Sequence, residues 1–188
     1  MRTHDPDIRT RLVAWLGSRP ESGRILHEVW IPFSHLRADV VEVNGSLTAF
    51  EIKSGADDLS RLREQTASFV KMFDHVTVVC DPRHTGGVLA ISPPSCDVIE
   101  VAGDRDKFQM VRPAEAKTSP ESWLQLRLLW RTELAKAATS AGIDPRRCTR
   151  GELRDRLLSV VPAAAISGLV REALRTRNLS DRRFGRRP

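Results

Sequence analysis

The stretch Arg37-Ala-Asp39-Val-Val-Glu-Val-Asn44-Gly45-Ser-Leu-Thr-Ala-Phe-Glu51-Ile-Lys53 constrains this chain more than any other. It reads as two short strands joined at Asn44-Gly45, the pair that most strongly signals a tight β-hairpin. Apolar residues fill most of both strands, yet Asp39, Glu51 and Lys53 interrupt them. Charges inside such strands are costly unless they are paired or bound to an ion. The hairpin is therefore the place to look for a site.

Side chains alternate along a strand, so Glu51 and Lys53 share a face with Leu47 and Ala49, and Asp39 shares one with Arg37, Val41 and Val43. A strict two-residue loop would pair Asp39 with Phe50 and send Glu51 to the opposite side. A three-residue loop, with Gly45 left-handed in a bulge, pairs odd positions with odd ones and brings Asp39 and Glu51 together. The expectation is the odd-length loop, or a compensating bulge elsewhere. Two converging carboxylates suit a hard cation such as Mg²⁺ or Mn²⁺. A lysine on the same face could prepare a metal-bound water or steady charge on a phosphate.

Asp39, eleven residues, then Glu51-Ile-Lys53 resembles the PD-(D/E)XK nuclease superfamily, with Ala38 where that family's proline stands. The resemblance reaches upstream to Glu28 and downstream to Gln65, covers roughly residues 5–112, and points to small bacterial DNA-repair-type or uncharacterised members. It implies a restriction-endonuclease-like α-β-β-β-α-β core with a mixed sheet. It also implies metal ligands at Asp39, Glu51 and the Ile52 backbone carbonyl, a water-activating Lys53 and an auxiliary acid at Glu28. Gln65-Thr-Ala-Ser-Phe69 is similar to a Q-x-x-x-Y helix signature of RecB-like and lambda-exonuclease-like members. Phe69 lacks the tyrosine hydroxyl, so only Gln65 carries over, to help place the water or a phosphate. Arg37 is either a phosphate contact or a partner for Asp39.

Net charge is +6, and residues 171–188 hold seven arginines against Glu172 and Asp181. Such a basic end is an electrostatic footprint for nucleic acid. Arg175, Arg177, Arg182 and Arg183, together with Arg37, are the candidate nucleic-acid contacts. Three cysteines with no C-x-x-C spacing indicate neither a disulfide framework nor a zinc site. No apolar run of about 18 residues predicts a membrane span. The N-terminal segment lacks a signal-peptide pattern, so a cytoplasmic location is expected.

In chain order, Asp5-Pro6 caps a helix with Ile8, Leu12, Trp15 and Leu16 on its apolar face, closed by Gly17. A strand over 24–31 follows, then the hairpin, then a long helix capped by Asp57 or Asp58 with Leu59, Leu62, Thr66, Phe69 and Phe73 inward. His75–Cys80 reads as a strand covered on both faces. A short helix at 88–91 and a peripheral hairpin, 97–101 with 107–111 around Gly103-Asp104, complete the region. The expected domains are a core over 1–113, a three-helix subdomain over 114–179 and a basic tail over 180–188. In the subdomain one helix runs from Pro120 to Gly142, a capping box at Thr149/Glu152 starts a second, and Pro162 opens a third. This bundle reads as a DNA grip, or as a dimerisation or lid element with Trp123 and Trp130 at a contact.

The leading expectation is a Mg²⁺- or Mn²⁺-dependent deoxyribonuclease acting in repair or defence. The alternative is a non-catalytic nucleic-acid-binding or interaction protein that keeps the fold; RNA is a third possible substrate.

Overall fold

The computed structural model describes residues 5–32, 35–102, 107–116 and 118–178. The chain divides into two compact units, one ending at Ser119 and the next beginning at Pro120. The first is α/β. Helix α1 (Asp5–Gly17) leads into β1 (Arg24–Trp30), β2 (Arg37–Val43) and β3 (Leu47–Lys53). Helix α2 (Leu62–Phe69) crosses to β4 (His75–Cys80), α3 (Thr85–Ile91) crosses to β5 (Asp97–Ala102), and β6 (Lys107–Arg112) closes the region. The six strands form one mixed sheet in sequential order. β1, β2 and β3 pair antiparallel; β3, β4 and β5 run parallel, as helical crossovers require; β6 returns antiparallel.

Alternation sorts the strand residues onto two cores. Val40, Phe50, Ile52, Val79, Ile99 and Val101 face Ile8, Leu12 and Leu16 of α1. Val78, Cys80 and Val98 face Leu62 of α2 and Val88 of α3 on the other side. A central strand covered twice must be apolar on both faces, which explains the unbroken run in β4. Leu12 is fully buried; truncating such a leucine to alanine costs about 2–5 kcal/mol.

The hairpin register is odd with odd: Val43 pairs with Leu47 and Val41 with Ala49, leaving a three-residue loop over 44–46. Gly45 is not left-handed, contrary to expectation; among the described glycines only Gly142 has positive φ. Asn44 closes the loop instead. Its N–H donates to the Ser46 carbonyl, and its Oδ1 accepts from the Ser46 N–H at 2.9 Å. A side-chain bond of this kind replaces the turn that glycine would otherwise make.

Helix α2 is also shorter than expected. Asp57 accepts from the N–H and hydroxyl of Ser54, and Asp58 accepts from the Ser60 N–H. Both aspartates therefore hold the approach to the helix, which starts only at Leu62. The Gly103-Asp104 turn and the side chains of Asp5 and Pro6 lie outside the described residues.

The second unit is helical: α4 (Ser122–Gln125), a 3₁₀ turn at Leu126–Leu128, α5 (Arg131–Ser140), α6 (Arg150–Val160) and α7 (Ala163–Thr176). The single helix expected from Pro120 to Gly142 is broken. Leu129 and Trp130 turn extended, and Glu133 accepts the Trp130 N–H at 2.7 Å to start α5 afresh. Gly142 at φ 77° ends α5, with Ile143 N–H returned to Ala138. The Thr149/Glu152 capping box forms reciprocally. Among the described residues no helix is long and apolar enough to cross a membrane.

Candidate functional site

The odd register places Glu51 and Lys53 on the sheet face that α2 covers. Leu62, Gln65, Thr66 and Phe69 form the buried side of α2, so Gln65 arrives directly over the two charges. A closed ring results. Lys53 Nζ pairs with Glu51 Oε1 at 2.9 Å and donates to Gln65 Oε1 at 2.9 Å. Gln65 Nε2 then donates to the same Glu51 Oε1 at 2.5 Å. The other oxygen, Glu51 Oε2, is buried without a hydrogen-bond partner. Burial, and then the nearby Asp39 charge, push the Glu51 carboxyl up to about 7, against the opposing pull of Lys53 and Gln65.

Asp39 belongs to a second network. Its Oδ2 accepts the Ile52 N–H at 2.8 Å, and Arg9 of α1 reaches its Oδ1 at 3.1 Å and its backbone carbonyl at 3.1 Å. Arg9 also meets Glu28 Oε1 at 2.5 Å, and Glu28 Oε2 pairs with Arg37 at 3.0 Å. Glu28 sits at φ 53°, a conformation costing a non-glycine residue about 1–2 kcal/mol. The β1–β2 register accordingly pairs His27 with Val40 and Val29 with Ala38 but skips the position between. Arg9 fills that gap, bonding the Asp39 carbonyl. Arg37 is exposed and partners Glu28 rather than Asp39.

Glu51, Lys53 and Gln65 converge as paired structure, while Asp39 is held by Arg9 and the Ile52 N–H. Three of the four carboxylate oxygens on Asp39 and Glu51 are engaged by protein donors. Among the described residues no group of three or more His, Cys, Asp or Glu stands where it could hold a metal ion. Ile52 meets Asp39 through its N–H. Sequence reasoning missed Arg9. Its signal was its place one residue beyond Ile8, at the margin of the α1 stripe that lies on this part of the sheet. It also missed Glu42, buried with Arg19 and the Gly23 N–H as partners.

The arginine candidates part company. Arg175 is exposed and pairs with Glu172 at 2.7 Å. Arg177 is buried: it clamps both oxygens of Glu133 at 2.7 Å, donates to the Leu128 carbonyl and lies 4.3 Å above the Trp130 ring. That engagement corrects its expected role as a nucleic-acid contact. Arg182 and Arg183 lie outside the described residues. The two units differ in charge. Residues 1–119 hold 15 Lys and Arg against 17 Asp and Glu, while residues 120–188 hold 15 against 7, a net of +8.

Over residues 2–187 the chain matches the family described as Bacteriophage P4 protein cII. It is similar to Protein cII of Enterobacteria phage P4, 29% identical over 143 residues, covering 74% of this chain and 54% of that one. The chain thus spans about half the length of that relative. It is also similar to a solved protein of unknown function from Silicibacter pomeroyi, SPO1766, at TM-score 0.42 and 19% identity. That match covers 66% of this chain and 82% of that chain, and is too loose to carry an argument. The family match overturns membership of the PD-(D/E)XK superfamily and, with it, the deoxyribonuclease activity drawn from that resemblance. Within the D-x(11)-E-x-K pattern, Lys53 pairs with Glu51, and Asp39 is held by Arg9 and the Ile52 N–H.

Proposed function

The chain belongs to the bacteriophage P4 cII family, and from that premise we propose that it binds nucleic acid without hydrolysing it. The observation that carries the reading is the charge division. An excess of +8 confined to residues 120–188, beside a slightly acidic sheet unit, is an electrostatic footprint for a polyanion. The excess does not depend on the tail, because residues 120–178 alone hold 11 Lys and Arg against 6 Asp and Glu. In this reading residues 1–113 are a scaffold, and residues 114–179 with the tail 180–188 form the grip. The order α1-β1-β2-β3-α2-β4 supports a restriction-endonuclease-like sheet kept for its shape. The Glu51–Lys53–Gln65 ring and the Arg9–Asp39–Glu28 pairs then hold the rim of that sheet together.

Fluorescence anisotropy of labelled single-stranded and duplex oligonucleotides, titrated with the full chain across a salt series, tests this. Log affinity should fall linearly with log salt, by about 0.7 to 0.9 per phosphate neutralised. The oligonucleotides should keep their length in the presence of Mg²⁺. Removing residues 179–188, which contain four arginines, should lower the slope by about 3. Absence of binding at about 50 mM salt, or affinity indifferent to salt, would overturn the proposal.

A further inference from the structure

In the helical unit a cluster of arginines stands apart from the Arg177 clamp. Arg150 and Arg154 lie one turn apart on one face of α6, while Leu153 and Leu157 are buried. Helix α4 packs on α6 and carries Trp123, a large hydrophobic residue left 44% exposed. The Arg127 guanidinium lies 5.2 Å from the centre of the Trp123 ring, and the indole N–H donates to Glu121 Oε2 at 2.6 Å, which fixes the ring's edge. Nε of Arg154 is buried without a hydrogen-bond partner.

The cluster is electrostatically uncomfortable. Burial, then repulsion from Arg127, then repulsion from Arg150 hold the Arg154 guanidinium below its usual range. Asp155 opposes this, but less strongly than any of the three. Burial likewise lowers Arg127, with Asp155 again on the other side. Repulsion felt by a partly desolvated guanidinium costs free energy that an arriving anion recovers. An arginine stacked beside an exposed indole is also the pairing that single-strand binders present to an unpaired base.

We propose that Arg127, Arg150, Arg154 and Trp123 form a subsite for single-stranded nucleic acid, the guanidiniums holding a backbone phosphate and the indole stacking an adjacent base. The subsite rests on the nucleic-acid-binding reading and narrows it to four residues and one strand form. A duplex hides its base faces within the stack, so it meets the arginines alone.

The test compares a single-stranded oligonucleotide with its duplex, by anisotropy across a salt series, using the full chain and its variants. Arg150→Ala and Arg154→Ala should each weaken single-strand binding by about tenfold and reduce the salt slope by about 0.7. Trp123→Ala should weaken it by about 5- to 100-fold with the slope unchanged, and leave duplex binding as it was. Arg154→Lys should keep the slope, which separates lost charge from lost packing. Arg150 is exposed, so its variant remains informative if Arg154→Ala does not fold. Variants that bind single strands like the parent chain would overturn the subsite while leaving the broader reading standing. A parent chain that binds no nucleic acid at low salt would remove both.

Discussion

The rim of the sheet and the face of α6 handle charge in opposite ways. At the rim, Lys53, Glu51 and Gln65 close on one another, and Arg9 ties Asp39 to Glu28. On α6, Arg154 is repelled by Arg150 of the same helix and by Arg127 of the 3₁₀ turn that follows α4, and Asp155 offsets this less strongly than either. A closed network spends its electrostatic energy on the fold and leaves little for a ligand. A crowded set of like charges does the reverse: it weakens the free protein slightly and keeps its attraction for a partner of opposite sign.

The sharpest way to break that contrast is to open the ring. Lys53→Ala leaves Glu51 buried without its cation, and unfolding by urea should show a loss of about 3–5 kcal/mol. The double variant Glu51→Leu with Lys53→Met should recover most of it, because apolar groups of similar volume need no partner. A single variant as stable as the parent would mean that the rim is not held by this pair.

Acidity probes the same ring. Folding raises the Glu51 carboxyl to about 7 from an ordinary 4.5, so the folded chain binds that proton more tightly than the unfolded one. This contribution to stability is fully present below about pH 4.5 and is lost as pH rises through about 7, a change of about 3 kcal/mol. Denaturation midpoints measured from pH 4.5 to 7.5 should reveal it, and Glu51→Gln should flatten that part of the profile. A parent profile as flat as the variant's would place Glu51 in a wetter setting than the ring provides.

Arg177 marks the boundary between the two kinds of charge. Although it stands in the basic end of the chain, it is built in like the rim residues. Arg177→Met should cost about 2 kcal/mol through the lost bonds to Glu133 and Leu128. Below its melting temperature the variant should bind oligonucleotides as the parent does. A marked drop in affinity without a drop in stability would move Arg177 to the open set.

The smallest effect concerns metal. With Asp39 and Glu51 engaged by Arg9, Ile52, Lys53 and Gln65, millimolar Mg²⁺ should raise the melting temperature by less than about 1 °C. A larger shift, abolished by Asp39→Asn, would show that the rim opens to a cation after all.

Local pattern was enough to locate the strands, the α1 stripe, the Gly142 stop and the Thr149 capping box, because each rests on residues within a few positions of one another. It also set the odd-with-odd register of the hairpin, since a three-residue loop decides that by parity alone. It did not decide what Asp39 and Glu51 meet. Arg9 and Gln65 come from separate helices, and their approach depends on how α1 and α2 lie on opposite faces of the sheet. The break at Trp130 was likewise invisible, because an apolar spacing of three and four continues across it while Glu133 and Arg177 rearrange the backbone.

Net charge and its division along the chain were thus determined by the sequence, for charge is a sum over residues and needs no coordinates. Which of those charges are consumed in the fold and which face a partner was decided by tertiary structure. Pairing depends on distances between residues far apart in the chain, and only packing sets those distances.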